Sequence, residues 1–314
     1  MWIVGTTLLL ALCGPPAAAQ EAPGPPPETR AGGPTAGVPT PDPIDETRPF
    51  PADGNLRIMV MEGAVRVRTW DRDSVRVTGQ LSGVSRRHFY FATGGTGGGK
   101  LGLETERGGT AQLEVTVPVG SRLWVKTAGA PIHVAGAEGA LDLYSVTGSI
   151  RVEGDPSSLY AESMGGEIRV EGAPTVARLR TGAGAAYVRG GGPDLSVTTV
   201  NGGITLEGTA PVRRAILETV SGHVRVDAGL ASGAAVSITS HDGPVELTVP
   251  RDTEAEFLVV TLEGEVRNAL VPGGTRKTAG LRGRELSFTS GSGDADVTVR
   301  TFSGAVTIRP RDDG

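Results

Sequence analysis

Five arginines recur at one position of a repeated sequence word. Arg66, Arg151, Arg169, Arg225 and Arg267 each stand three residues after a glycine. A stripe of guanidinium groups on one face is chemistry for gripping an anionic envelope polymer or lipid head group. Two residues further on the same words carry acid, at Glu153, Glu171, Glu207 and Asp227. Residues two apart in a strand share a face. The basic stripe is therefore expected to pair with an acidic one, as ordinary charge decoration of a sheet. The five arginines are the candidate surface-binding ladder of this chain.

The other chemistry-bearing patterns are weaker. A hydroxyl column (Ser145, Ser163, Thr181, Thr199, Thr219, Ser240, Thr261, Thr301) stands three residues before the glycines. Such arrays order water in ice-binding proteins, but those show paired Thr columns, so capping of a strand-to-turn corner is the better reading. "GGTGGGK" (94–100) imitates a phosphate-binding loop, yet Leu101 replaces the required Ser or Thr. "KLGLETE" also reads as a strand, whereas that motif needs a helix after the loop. His88, His133, His223 and His241 show no ligand spacing. Asp294 and Asp296 are read as sharing a strand face, without a calcium-repeat motif around them. No nucleophile elbow lies between a strand and a helix. Flat aromatic platforms for sugars are restricted to Trp70, Trp124, Tyr144, Tyr160 and Tyr187. No catalytic, cofactor or metal residue is assigned, and no cofactor is expected.

The elements that would position these residues follow from the repeat. The word is [ST]-x-x-G-x-[IV]-x-[VIL], as in "SVTGSIRV" from Ser145 and "TVSGHVRV" from Thr219. Its glycines, Gly148, Gly166, Gly184, Gly202, Gly222, Gly243 and Gly264, are spaced by 18, 18, 18, 20, 21 and 21 residues. Gly304 follows 40 residues on, or about two periods. A unit of this size holds two short strands and two turns and cannot bury an apolar face alone, so units must stack. The apolar residues two after the glycine (Val65, Ile150, Ile168, Ile204, Val224, Val245, Val266, Val306) and four after it (Val67, Val152, Val170, Leu206, Val226, Leu247, Ile308) form inward ladders. The glycines are expected to serve turns where a positive φ costs little. The fold class is all-β, a single-domain β-solenoid of about 18–21 residues per coil with coils about 4.8 Å apart. An antiparallel β-sandwich or barrel is the alternative.

Composition agrees. Of 314 residues 48 are Gly and 22 are Pro. That is about double the usual glycine, which demands many turns or close backbone approaches. Aromatic residues make up 4%, so the core must be aliphatic. A net charge of -5 and a pI near 5.5 argue against a nucleic-acid partner. Residues 1–19 read as a signal peptide: an apolar run too short to span a bilayer, then Ala17-Ala18-Ala19. Cys13, the one cysteine, gives a minor alternative of lipid anchoring. No later stretch resembles a transmembrane segment. Residues 20–54 are Pro- and Gly-rich and read as a disordered tether. The repeat domain runs over 55–310, with a tail at 311–314.

Three stretches carry a resemblance: "LEVTVPVGSRLWVKTAGAPIHVAGAEGALDLYSVTGSIRVEG" (113–154), "GPVELTVPRDTEAEFLVVTLEGEVRN" (243–268) and "GSGDADVTVRTFSGAVTIRP" (291–310). With a Val-Pro step before a new strand and the repeated t-x-x-G-x-i-x-v word, each is similar to a bacterial adhesin-like family of unknown function with β-strand repeats. The resemblance covers residues 55 to 310 and implies an extracytoplasmic β-solenoid-like fold. It brings no catalytic motif, and fold alone does not give function. The expected role is non-catalytic adhesion or envelope scaffolding, with a cell-envelope or surface polymer or protein as partner. The alternatives are a polysaccharide-acting enzyme on the same scaffold, or a structural or signalling partner docking through a strand edge near Arg309.

Overall fold

The computed structural model describes residues 42–95, 97–103, 108–271, 276–279 and 283–311. The predicted signal peptide, Cys13 and residues 20–41 lie outside them. Among the described residues, strands form two sheets, of 13 and 14 strands, with one short 3-10 helix at Arg86–His88. No helix of these residues is long and apolar enough to cross a membrane.

Each coil places one strand in each sheet. In a central coil, Ser158–Ser163 lies in the second sheet, a corner follows, and Ile168–Gly172 lies in the first. Pairing between coils is parallel and in register, so equivalent residues stack. Ile150 pairs with Ile168, Ile168 with Ala186, Ala186 with Ile204 and Ile204 with Val224. The second sheet repeats this with Leu141, Leu159, Ala177 and Leu195. These stacked aliphatic side chains are buried and form one core between the sheets. Period-2 alternation explains it: both strands of a coil turn every second residue inward, and the 18-residue spacing keeps that phase from coil to coil. The β-solenoid, not the sandwich or barrel, is the fold.

The glycine column has a different cause from the turn chemistry expected of it. None of Gly148, Gly166, Gly184, Gly202, Gly222, Gly243, Gly264 and Gly304 has a positive φ. A Cβ on any of the last seven would instead strike a carbonyl oxygen of the neighbouring coil's glycine, at 1.8 to 2.2 Å. The column exists because two backbones meet there with no room for a side chain. Positive φ belongs to the opposite turn, at Gly154, Gly172 and Gly190.

Coil order departs from chain order at both ends. The coil of Ala295–Thr301 and Val306–Pro310 is inserted between that of Leu230–Ser240 and Val245–Val249 and that of Ala255–Thr261 and Val266–Asn268. The 40-residue gap before Gly304 is therefore not two steps outward: Gly304 stacks on Gly243, and Gly264 stacks on Gly304. The cause is an antiparallel strand, Arg284–Ser290, that covers the outer side of Ala255–Thr261 and leaves only the inner side for the last coil. The first end mirrors this. The coil of Asn55–Met59 and Gly63–Trp70 lies between that of Gly98–Leu103 and Thr110–Pro118 and that of Arg122–Lys126 and Ile132–Ala135.

Two sequence boundaries are adjusted. Asp42–Pro49, inside the stretch read as tether, is a strand paired antiparallel with Ser74–Ser82, and Ile44 is buried beneath it. Among its described side chains Ile44 is the buried one, and Pro43 and Pro49 stand second and last in it. Pro43 and Pro49 suit an edge strand, where a missing N–H costs nothing. Arg311, read as tail, donates through Nε to Asp227 at 2.8 Å. The edge expected near Arg309 is short: Val306–Ile308 is paired on both sides, Arg309 and Pro310 pair only with Thr248 and Val249, and the sheet ends at Val266–Asn268.

Gly202→Ala would set a Cβ 1.8 Å from the Gly184 carbonyl oxygen. It is expected to destabilise the protein by about 1–3 kcal/mol through overpacking, read as a lowered urea midpoint. A chain ended at Ser290 is expected to lose hydrogen-exchange protection in Ala255–Thr261, its parallel partner gone, while the coils from Ile150 to Asp227 stay protected.

Candidate functional site

The corner between the two strands of each coil is built by the hydroxyl column. Ser163, Thr199 and Thr261 are each at most 2% exposed. The Gly166, Gly222 and Gly264 amides donate to Ser163 Oγ, Thr219 Oγ1 and Thr261 Oγ1 at 2.9, 3.0 and 2.9 Å. The hydroxyls donate in turn to carbonyls, as Thr199 does to Gly202 at 2.6 Å and Ser163 to Gly148 at 3.1 Å. The column thus caps the corner from within, and its inward direction removes an ice-binding surface.

With the hydroxyl turned in and the glycine pressed on the next coil, the two residues between them must point out. The first is apolar in most coils. In spatial order the positions are Ala128, Val146, Met164, Gly182, Val200, Val220, His241, Phe302 and Leu262. Their backbones are joined by hydrogen bonds along the stack, among them Val220 N to Val200 O at 3.1 Å and Leu262 N to Phe302 O at 3.1 Å. Val146 is 45% exposed, Met164 67% and Val200 47%. Among the described residues, Val119 is the one large exposed apolar side chain off this ridge. His241 lies flat against Phe302, with ring centroids 4.8 Å apart. Sequence reasoning passed over the ridge, although its signal was the apolar residue after each Ser or Thr of the word.

The five arginines all lie in the first sheet but do not form an unbroken stripe. Register interposes His133 between Arg66 and Arg151, and Tyr187 and Thr205 between Arg169 and Arg225. Arg151 bonds Glu153 at 2.5 Å and Glu171 at 3.0 Å, and Arg169 bonds Glu167 at 2.9 Å. Arg225 meets Glu246 at 3.2 Å and Arg267 meets Glu265 at 2.9 Å. Arg66 has no ion pair among the described residues. The expected acidic partners hold for Arg151, while Glu167, Glu246 and Glu265 replace the others.

Gly98–Leu103 is a strand, so Lys100 sits in a sheet and not at a phosphate-cradling turn. His133 faces Glu153 at 3.2 Å, and His223 faces Glu246 at 3.4 Å. Asp294 does not share a strand face with Asp296. It precedes the strand and accepts from the Gly233 amide at 3.0 Å. Bonds from Ser232 and that amide hold its carboxyl below the usual range. No group of three metal-ligating side chains occurs among the described residues. Of the five aromatics, Trp124, Tyr144 and Tyr160 come together on the second sheet, while Trp70 and Tyr187 stand in the first.

The hydrogen bond from Arg151, then the charges of Arg151 and His133, hold the Glu153 carboxyl below its usual range. A depressed folded pKa stabilises fully above the unfolded value, about 4.3 for Glu, and that contribution fades as pH falls through the folded value. Arg151→Gln should therefore cost up to about 1 kcal/mol at neutral pH. The gap to the parent protein should close in urea unfolding below about pH 4.

The Toastrack DUF4097 family model matches residues 54–309. Among curated proteins, no sequence matches the chain. Among solved structures, the chain is similar to a "putative adhesin" from Bacteroides fragilis, at 10% identity over 85% of this chain and 97% of that one, with a TM-score of 0.45. It is similar to a "putative cell adhesion protein" from Clostridium sporogenes, at 10% identity over 86% and 100%, with a TM-score of 0.21. A "putative lipid binding protein" from Parabacteroides distasonis shares 9% identity over 85% and 97%, with a TM-score of 0.44.

Proposed function

The chain belongs to the Toastrack DUF4097 family, and on that premise we propose that it is a non-catalytic exported protein. Its role is adhesion or envelope scaffolding through an extended surface. The observation that carries this reading is the apolar ridge. Coils rise by about 4.8 Å, so the positions from Ala128 to Leu262 extend over about eight spacings. A soluble monomer rarely keeps its exposed large apolar side chains in one row, and such a row marks a contact surface. The signal peptide and the Pro-rich leader support export and a body held off a surface, with cleavage after Ala19.

The charge pattern favours binding over catalysis. A glycosidic acid needs a carboxyl held protonated, its pKa pushed up by an apolar setting or a like charge. Among the described carboxyls with a resolved shift, Asp45, Glu153, Asp194 and Asp294, every one is lowered, and in each a hydrogen bond is the largest cause.

The test is sedimentation of the protein with purified envelope fractions of the source cell at low and high salt. Saturable binding that survives high salt is expected, because apolar contact is not screened. Met164→Asp with Val200→Asp, both on exposed corners, should abolish it without lowering Tm. Binding by that variant equal to the parent's would remove the ridge as the contact surface, and no sedimentation at either salt would remove self-envelope as the target.

A further inference from the structure

We propose that the outer face of the second sheet, centred on Trp124, binds a carboxylate-bearing polysaccharide laid along the stacking direction. The proposal goes beyond the reading above: it concerns the outer face of the second sheet, not the corner ridge, and names a ligand class of its own.

The first observation is an aromatic row. Trp124, Tyr144 and Tyr160 come from three successive coils of the second sheet. Register sets Trp124 opposite Asp142 and Asp142 opposite Tyr160, with Tyr144 one outward position along. The rings therefore zigzag. Trp124 and Tyr144 have centroids 6.0 Å apart, and Tyr144 and Tyr160 5.4 Å apart. All three are half-buried; the rings tilt against one another by 46° and 39°, and the Arg180 guanidinium lies over the Tyr160 ring, 6.0 Å from its centroid. Aromatics are 4% of this chain; Phe50, Phe89, Phe91, Phe257 and Phe288 are buried in the core, whereas these three stand together on an outer face. An aromatic ring offers a flat apolar surface with a polar tip, which suits the C–H face and hydroxyl rim of a pyranose ring. Asp142, between Trp124 and Tyr160, is exposed and placed to accept from sugar hydroxyls.

The second observation is charge. Arg57 is opposite Trp124 on the adjacent coil and Lys100 is opposite Arg57. Arg122 and Lys126 flank Trp124 on its own strand, two residues to either side. These four cations are exposed, and none has an ion pair among the described residues. The contrast is with Arg151, Arg169, Arg225 and Arg267, which are spent on carboxylates. Against the four stand Asp142 and Glu162, the latter accepting the Tyr160 hydroxyl at 2.5 Å. A chain of net charge -5 thus carries a locally positive face with stacking rings in it. Guanidinium and ammonium groups beside aromatic planes fit a sugar polymer that bears carboxylates. From Lys100 to Tyr160 the row covers four coil spacings, about 19 Å, room for a short run of sugar units.

The test is isothermal titration of the purified protein with polygalacturonate, its fully methyl-esterified form, dextran and phosphatidylglycerol vesicles. Saturable binding of polygalacturonate is expected, at least about tenfold tighter than of the methyl ester, since only the acid form makes charge-assisted hydrogen bonds. Raising salt should weaken it, as exposed charges are screened. Trp124→Ala, and Arg57→Gln together with Lys126→Gln, should each weaken it about tenfold or more, the loss of roughly 1.4 kcal/mol of contact, with Tm unchanged. Arg225→Gln in the other sheet should leave it as it was. The proposal is overturned by equal binding of acid and ester, by unaltered binding in the Trp124 and paired-charge variants, or by binding of the vesicles alone. Wild-type envelope sedimentation that the Met164→Asp and Val200→Asp changes abolish, with no polygalacturonate binding, would leave the broader reading standing and sink this one. Polygalacturonate binding without envelope sedimentation would do the reverse.

Discussion

The coils from that of Gly148 to that of Gly264 are held at the approach of two backbones at the glycine column. With no side chain at Gly166, Gly184, Gly202 or Gly222, carbonyls of one coil come within a distance that a single methyl group would block. That approach lets the parallel strands keep register on both sheets, and register stacks Ile150 on Ile168 and Leu141 on Leu159. The buried hydroxyls are a second layer of the same device, since they satisfy the amides and carbonyls that the tight corner would otherwise leave bare. The outward pair of residues at the corner, and so the ridge, is what remains once glycine and hydroxyl have taken their places.

The two outer faces meet the same constraint with different results. In-register parallel stacking brings like residues together, so a repeat with an arginine at one outward position would build a row of repelling cations. On the first sheet the chain answers with acids beside the arginines, and the charges cancel locally. Around Trp124 the second sheet leaves four cations without such acids and sets rings among them. Unpaired like charge on adjacent strands is unfavourable in the free protein, and a polyanion that settles there relieves it.

Much of this was legible in the residues. Glycine spacing and period-2 alternation together imply stacked coils and name both inward ladders, because one phase error would turn an entire strand inside out. What the repeat does not carry is spatial order. A period states how many residues separate equivalent positions, not which coil lies beside which, so the insertion of the Gly304 coil between those of Gly243 and Gly264 was invisible. The strand at Asp42–Pro49 was hidden by its prolines, which edge strands tolerate. The aromatic row escaped for a geometric reason. Its members lie on diagonals across parallel strands, so Trp124 to Tyr144 is 20 residues and Tyr144 to Tyr160 is 16, one above and one below the coil period of 18.

The inserted last coil also has a meaning in time. A polypeptide emerges from synthesis, or from an export channel, with its first residues leading. Coils laid down in sequence order could settle one upon another as they appear. Here the place between the Gly243 and Gly264 coils belongs to residues 295–310, which appear after both. The segment before them must therefore wait at a distance from the stack or give up an early, wrong contact with it. Completion of the stack is thereby tied to the arrival of residues 295–310, after both coils that flank them.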